Sequence, residues 1–296
     1  MVDIGIVGLD TSHAESFAAE IEGRDSSTVA GVWDGGDVRD ESYLETYCER
    51  HDATRYDDPH AMVGEVDAAM VLTVNWDTHR DLAVPFLKNG VATLIDKPIA
   101  GTLADVRAIQ RAVDGMPFFG GSAVPFHSAV RSFSLEPDGR ALYCVGYDDP
   151  FYYGVHLVDT VCRIVDEEWA TVRPANDPGE TVEIVFQDGT YVTIRLDSPG
   201  DEEQFAFLTL GNSASTAEVG SSRSDLDDMY GTYIDTFLQV ATGRRNSDSS
   251  VLTAATLLLA VHAALEHGNP ITPGCQLLSD QVIEGRVFLD DYAPYY

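Results

Sequence analysis

Two groups in this sequence stand out for the chemistry they could do. The chain of 296 residues has only two lysines, Lys88 and Lys97. Lys97 follows the apolar run 93–96, which reads as a strand, and so stands at that strand's C-terminal end. An ammonium there can stabilise charge developing on a substrate oxygen, and partial burial lowers its pKa toward an enzyme's working range. Lys88, at the end of a helical stretch, reads as a surface lysine. The second group is His156 with Asp159, three residues apart in a helical segment over 154–165. An imidazole can exchange a proton near neutral pH. Asp159, one turn on, shares its face and could orient the imidazole or bind a substrate hydroxyl. On an isolated helix such a pair is usually structural, so its weight depends on Lys97.

A third feature is the turn Gly5-Ile6-Val7-Gly8-Leu9-Asp10-Thr11-Ser12-His13. A dinucleotide site needs glycines after its first strand, because the backbone approaches the pyrophosphate and the next helix presents its N-terminus to it. In a G-x-G-x-x-G frame opening at Gly8, the second glycine is Asp10 and the third is His13. Asp10 as an N-cap, or Ser12 with Glu15 as a capping box, would satisfy the amides a phosphate otherwise takes. A carboxylate there also repels pyrophosphate, so a plain capped helix competes with a cofactor turn. Asp34, ending the second strand, stands where an acidic side chain accepts from ribose hydroxyls and disfavours a 2′-phosphate, which favours NAD over NADP.

These residues need a frame, and the pattern supplies one. Strands are expected over 2–8, 29–34, 68–74, 93–96 and 117–122, alternating with helices over 13–22, 42–51, 79–88 (despite Pro85) and 103–113. That alternation predicts a doubly wound parallel Rossmann sheet for residues 1–122. Beyond residue 122 strands dominate, over 141–147, 170–173, 181–187, 191–196 and 205–210, with a turn at Gln187-Asp188-Gly189-Thr190. A helix over 154–165 and two more, 226–242 and 250–267, complete an α+β domain, 123–296, on a largely antiparallel open sheet. Substrate binding and oligomerisation fall to that domain: apolar strands open on one face predict a homodimer or homotetramer through the sheet.

Composition narrows the function. The chain has 49 Asp plus Glu against 18 Lys plus Arg, a formal charge of −31, which excludes gripping a nucleic-acid backbone. With 44% hydrophobic residues it can bury an ordinary core. No apolar run approaches the roughly 18 residues of a membrane helix, and no basic-then-apolar leader opens the sequence, so a cytoplasmic location away from membranes is expected. Carboxylates are spread along the whole chain and lysine is nearly absent, the composition of a protein from a salt-loaded cytoplasm. Cys48, Cys144, Cys162 and Cys275 form no C-x-x-C pair and read as reduced core thiols. His51 and His60 read as part of a solvated acidic face, and no metal site is expected. Trp33 and Trp76, near strand ends, suit core or cleft equally.

Several motifs in order resemble one family. They are Thr73-Val74-Asn75-Trp76-Asp77-Thr78-His79 at the end of the strand over 68–74, Asp96-Lys97-Pro98 at the end of that over 93–96, Gly121-Ser122-Ala123 closing that over 117–122, and Tyr153-Gly154-Val155-His156-Leu157-Val158-Asp159. The arrangement resembles the Gfo/Idh/MocA oxidoreductases, with their T-P-N-x-x-H, E-K-P and G-x-H-x-x-D hallmarks. The resemblance spans nearly the whole chain and implies an NAD(P)-dependent dehydrogenase acting on sugars, polyols or related hydroxy compounds. It implies that Lys97 is the catalytic lysine, that His156 takes the substrate's proton, and that Thr73, Asn75 and His79 line the nicotinamide with Asp96 and Lys97. It also implies a cis Lys97–Pro98 bond. The departures are Val74 for the family's proline, His79 one residue late, Asp96 for glutamate, and Tyr152 where many polyol dehydrogenases place an aspartate four residues before the histidine. Tyr152 can hydrogen-bond but holds no charge near pH 7. The segment between Ser122 and Ala141 is trimmed, which implies reduced substrate loops. The competing reading is a catalytically silent member that binds a sugar or nucleotide in a regulatory or scaffolding role.

A surface this acidic repels itself until salt screens it, with a Debye length of about 3 Å at molar ionic strength. Dialysis to low salt is therefore expected to lower the melting temperature measured by circular dichroism. An unchanged melting temperature would contradict the halophilic reading.

Overall fold

Buried strands alternating with amphipathic helices close the first third of the chain into one parallel sheet. The computed structural model describes residues 1–133, 141–197, 203–210 and 213–294. Its first sheet holds β1 (Val2–Val7), β2 (Ser27–Trp33), β3 (Thr54–Arg55), β4 (Ala68–Val71), β5 (Ala92–Asp96) and β6 (Phe118–Gly121), in the order β3-β2-β1-β4-β5-β6. Every residue of β4 and β5 is buried, as strands covered on both faces require. The helices α1 (Ser12–Glu22), α2 (Glu41–His51), α3 (His79–Lys88) and α4 (Leu103–Val113) supply that cover. Strand order reverses between β1 and β4, which opens a crevice beyond their C-terminal ends.

Two glycines let the chain turn at this edge. Gly8 has φ of +96°, and a Cβ there would lie 2.7 Å from Thr73 Cγ2 and 2.9 Å from Thr73 N. Gly121 has φ of +77°, and its Cβ would meet Asp159 Oδ2 at 2.7 Å. Any side chain at either position would both strain the backbone and push the neighbouring loop away.

The start of α1 corrects the sequence reading. Neither Asp10 nor a Ser12–Glu15 box caps it. Thr11 is the N-cap, its Oγ1 accepting from His13 N at 3.3 Å. Glu15 instead accepts from Tyr43 Oη and Arg50.

The second sheet has the order β12-β11-β7-β10-β9-β8, built from β7 (Ala141–Val145), β8 (Trp169–Pro174), β9 (Thr181–Phe186), β10 (Tyr191–Arg195), β11 (Gln204–Leu210) and β12 (Ala214–Gly220). All its pairings are antiparallel except β7 with β10. Its strand β12 escaped the sequence reading because Ala-Ser-Thr-Ala-Glu-Val-Gly offers little apolar alternation, and only its pairing with β11 makes it a strand. Part of the trimmed segment after Ser122 forms the short helix α5 (Ser128–Arg131), while residues 134–140 lie outside the described residues.

Three helices join the sheets: α6 (Gly154–Val165), α7 (Arg223–Ala241) and α8 (Ser250–His267). By length and composition α8 could cross a membrane, with mean hydropathy 1.4 over 18 residues, which corrects the reading that no apolar run comes close. Most of it is buried, packed against α6 and β8 as a core helix. The helix α7 returns to the first sheet, where Tyr233 packs on Phe119 of β6 at 4.8 Å between ring centroids, on Phe126 at 5.2 Å and on Phe17 of α1 at 5.5 Å. Each such ring contributes roughly 1.5–3 kcal/mol by burial. The Tyr233 hydroxyl donates to Gly121 O at 3.1 Å, so the same cluster pins the turn that follows β6.

The chain ends on α9 (Gln276–Asp280) and α10 (Gly285–Asp291). Asp77, in the loop after β4, accepts from Gly285 N and Arg286 N, each at 3.0 Å, and so holds the first turn of α10. Trp76 beside it is buried and donates from Nε1 to Ile283 O at 2.7 Å.

Candidate active site

The loops that leave β1, β4, β5 and β6 meet at one edge, and carboxylates tie them together. Asp10 turns from α1 to the loop after β4, accepting from Val74 N at 2.8 Å. Burial pushes its carboxyl up to about 7 although the Val74 amide opposes this. Near neutral pH the group is therefore partly protonated, which weakens the repulsion a pyrophosphate would meet. His13, the other substituted glycine position, places Nδ1 2.6 Å from Asp96 Oδ2 and stacks its ring on Phe17. Asp96 also accepts from Lys97 N at 2.8 Å. Burial alone would raise the Asp96 carboxyl, but His13 and Lys97 outweigh it and hold it below the usual range. Asp34, at the end of β2, accepts from Leu9 N at 2.7 Å and Gly36 N at 3.0 Å and stays partly exposed. Burial raises its pKa as well.

Lys97 is 5% exposed and follows β5 directly, with a cis bond to Pro98. Its Nζ sits 3.3 Å from the centroid of the Tyr152 ring and 5.4 Å from that of Tyr153, a cation held on aromatic faces. Burial lowers its pKa to about 8, against the opposing pull of Asp96 and Asp149. The sequence reading missed Asp149. Its Oδ1 accepts from Phe151 N and Tyr152 N at 2.9 and 2.6 Å, which sets the turn carrying Tyr152. An Asp-Pro pair just before a helix was the available signal.

His156 enters from α6. Its ring lies 6.1 Å from that of Tyr153, so Tyr153 borders both Lys97 and His156. Burial, together with the nearby charges of Lys97 and His13, holds the imidazole neutral, its pKa well below the ordinary value. Ser122 Oγ lies 2.7 Å from His156 Nδ1. The sequence reading quoted Ser122 within a motif but gave it no role.

Five expected site residues make contacts that the sequence did not show. Asp159 is 1% exposed, accepts from Ser122 N at 2.8 Å and pairs with Arg163 Nε at 3.1 Å, and among the described residues no hydrogen bond joins it to His156. It therefore positions Ser122. Burial raises its carboxyl despite Arg163, which also pairs with Asp248. His79 is fully buried, its ring nitrogens at Thr73 O (2.8 Å) and Ile99 O (3.2 Å), so it braces two loops from beneath and does not line the nicotinamide side. Asn75 Oδ1 accepts from Asp77 N, which closes the turn after β4, while Thr73 Oγ1 meets Thr78 Oγ1 at 2.8 Å. Tyr152 is buried between Lys97 and the Phe288 ring, stacked on the latter at 4.4 Å.

Beside Tyr152 opens a cleft of about 800 Å³ with Trp76, Phe151, Tyr153, Phe288 and Tyr292 among its walls, and Asp148, Asp149, Glu284 and Asp291 around it. Among the described residues no Arg, Lys or His lines it.

The parallel sheet has the strand order of a Rossmann fold, with its crevice at the C-terminal ends of the strands, and a buried lysine follows β5 at that end. Residues 2–116 match the GFO_IDH_MocA family model, described as an oxidoreductase family with an NAD-binding Rossmann fold. The fold is similar to a probable dehydrogenase from Thermotoga maritima, with TM-score 0.76 and 19% identity over 92% of this chain and 99% of that one. It is likewise similar to scyllo-inositol dehydrogenase from Lactobacillus casei with bound NAD(H) and scyllo-inositol, with TM-score 0.75 and 12% identity over 93% and 100%. The WlbA dehydrogenase from Chromobacterium violaceum, in complex with NADH and UDP-GlcNAcA, matches with TM-score 0.72 and 14% identity over 92% and 95%. No curated protein sequence matches. The first 116 residues thus match the NAD-binding Rossmann part of that oxidoreductase family, and the chain as a whole shares the two-part fold of these dehydrogenases.

Proposed function

We propose that the reaction is hydride transfer between NAD and a small, uncharged sugar or polyol, with Lys97 and His156 at the reacting oxygen. The observation that carries this reading is that a buried ammonium from the first domain and a neutral imidazole from the second border the same Tyr153 ring at the strand-end crevice. Bound NAD would supply the hydride acceptor. The chain's own task is the hydroxyl proton and the charge on oxygen, and both side chains suit it. The turn from Gly8 through Asp10, Thr11, Ser12 and His13 would hold the pyrophosphate, Asp34 the adenosine ribose, and Thr73, Asn75, Asp96 and Lys97 the nicotinamide side. Asp34 favours NAD over NADP. The adjoining aromatic, acidic cleft supports a neutral substrate, because a phosphate or carboxylate bound among its walls would face Asp148, Asp149, Glu284 and Asp291.

Calorimetric titration with NAD and NADH in high salt tests the reading. Binding at cofactor concentrations below about 1 mM is expected, and Lys97→Ala should keep the fold while lowering kcat roughly 100-fold or more. Absence of binding would leave the silent, ligand-binding reading in its place.

The same reading includes assembly through the second sheet and a salt-loaded cytoplasm as its setting. Tyr143 and Val145 of β7 and Leu210 of β11 are exposed on the open face, 40%, 37% and 49% respectively. A face like this favours a second copy of the chain. Light scattering in high salt should give the mass of a dimer or tetramer, and a monomer would contradict it.

A further inference from the structure

Ser122 has few options for its hydroxyl. The residue is fully buried, so water does not reach it. Its Oγ already accepts from Val124 N at 3.0 Å, and among the described residues its one other hydrogen-bond partner is His156 Nδ1 at 2.7 Å. A serine hydroxyl has a single hydrogen to give. If Nδ1 carried a proton, that proton would point at Ser122 Oγ and leave the buried O–H with no acceptor. If Nδ1 is bare, the O–H donates to it and every group is satisfied.

We infer that Ser122 is a positioning residue that fixes the His156 tautomer, placing the ring proton on Nε2, so that His156 is a hydrogen-bond donor to the substrate oxygen and not its base. This deepens the dehydrogenase reading and rests on it for the word substrate. The tautomer itself does not depend on it. Nε2 has no protein partner among the described residues and is not a buried orphan, so its proton is open to a ligand. Ser122 is in turn held from both sides: Asp159 accepts its N–H at 2.8 Å, and Tyr233 donates to Gly121 O. The titratable groups that face the imidazole are Lys97 and His13 from the first domain and Tyr153 from its own helix, with the Phe205 ring of β11 at 5.0 Å and Asp159 behind Ser122.

The consequence is a division of labour. Bound NAD would accept the hydride from the substrate carbon; what falls to this chain is the hydroxyl proton, released as the O–H bond breaks and the carbon–oxygen bond becomes a carbonyl. The proton cannot go to Nε2, which already bears one. It goes to the neutral amine of Lys97, which becomes ammonium, while His156 Nε2–H donates to the new carbonyl oxygen. Lys97 accepts only when deprotonated, and burial has lowered its pKa to about 8. The oxidation rate should therefore rise with pH through that region and then level off, with no limb from His156.

The test is nitrogen NMR of the full chain in high salt, with histidine rings labelled with nitrogen-15 and His156 assigned through loss of its signals in His156→Gln. Expected is a protonated Nε2 and a bare Nδ1, unchanged between pH 6 and 9. A protonated Nδ1, as the other tautomer or as imidazolium, overturns the inference. Because no cofactor or turnover is needed, that result stands apart from whether the chain is a dehydrogenase. As a second readout, Ser122→Ala should lower kcat on the order of 10-fold with KM little changed, part of the roughly 100-fold or more that a positioned acid or base supplies. Ser122→Cys, which keeps a weak donor, should recover part of the loss. An unchanged kcat in Ser122→Ala would remove Ser122 from the positioning role.

Discussion

The proposed chemistry depends on one interaction, the burial of the Lys97 ammonium against two tyrosine faces. A lysine amine taken from water loses its hydration, and without compensation it becomes neutral. Lys97 is compensated in part: Asp96 and Asp149 pull its pKa upward, and the faces of Tyr152 and Tyr153 receive the charge. A full salt bridge would have fixed the proton on the amine. An aromatic cradle with carboxylates at a remove leaves its pKa at about 8, which is what the proposed proton exchange requires.

The surroundings of Lys97 show how a fold serves such a balance. In a glycine-rich turn the backbone does the binding and side chains are absent. Here Asp10 and His13 stand at two glycine positions and use their side chains to fasten the first turn to the loops after β4 and β5. The price of the two substitutions is a tighter turn whose carboxyl group would repel a diphosphate if fully ionised, and burial of Asp10 eases that conflict. On the other side, the route from Arg163 through Asp159 to Ser122 carries rigidity from the core of the second domain to the imidazole. Four residues before His156 stands Tyr152, whose ring lies against the Lys97 ammonium.

Much of this was legible in the sequence because it is local or periodic. The strand and helix alternation fixed the order of the Rossmann elements, and the rarity of lysine singled out Lys97. The partners of side chains were not legible, because they come from distant segments. His79 reads as a crevice residue by motif, yet the loop after β4 holds one residue more than the motif, and its Trp76 and Asp77 are spent on docking the C-terminal α10 more than 200 residues away. Asp159 reads as a partner of His156 by helical spacing, but Arg163 at the next turn and the Ser122 amide claim it. Ser122 was visible within a motif, but nothing in sequence places its hydroxyl against an imidazole 34 residues on.

The most direct test of the whole account is a crystal structure of the ternary complex with NAD and an unreactive polyol. The expected result is a single substrate oxygen within hydrogen-bond reach, about 2.6–3.2 Å, of both Lys97 Nζ and His156 Nε2, with its carbon facing the nicotinamide. A polyol held in the aromatic cleft alone, its oxygens out of reach of either group, would contradict it.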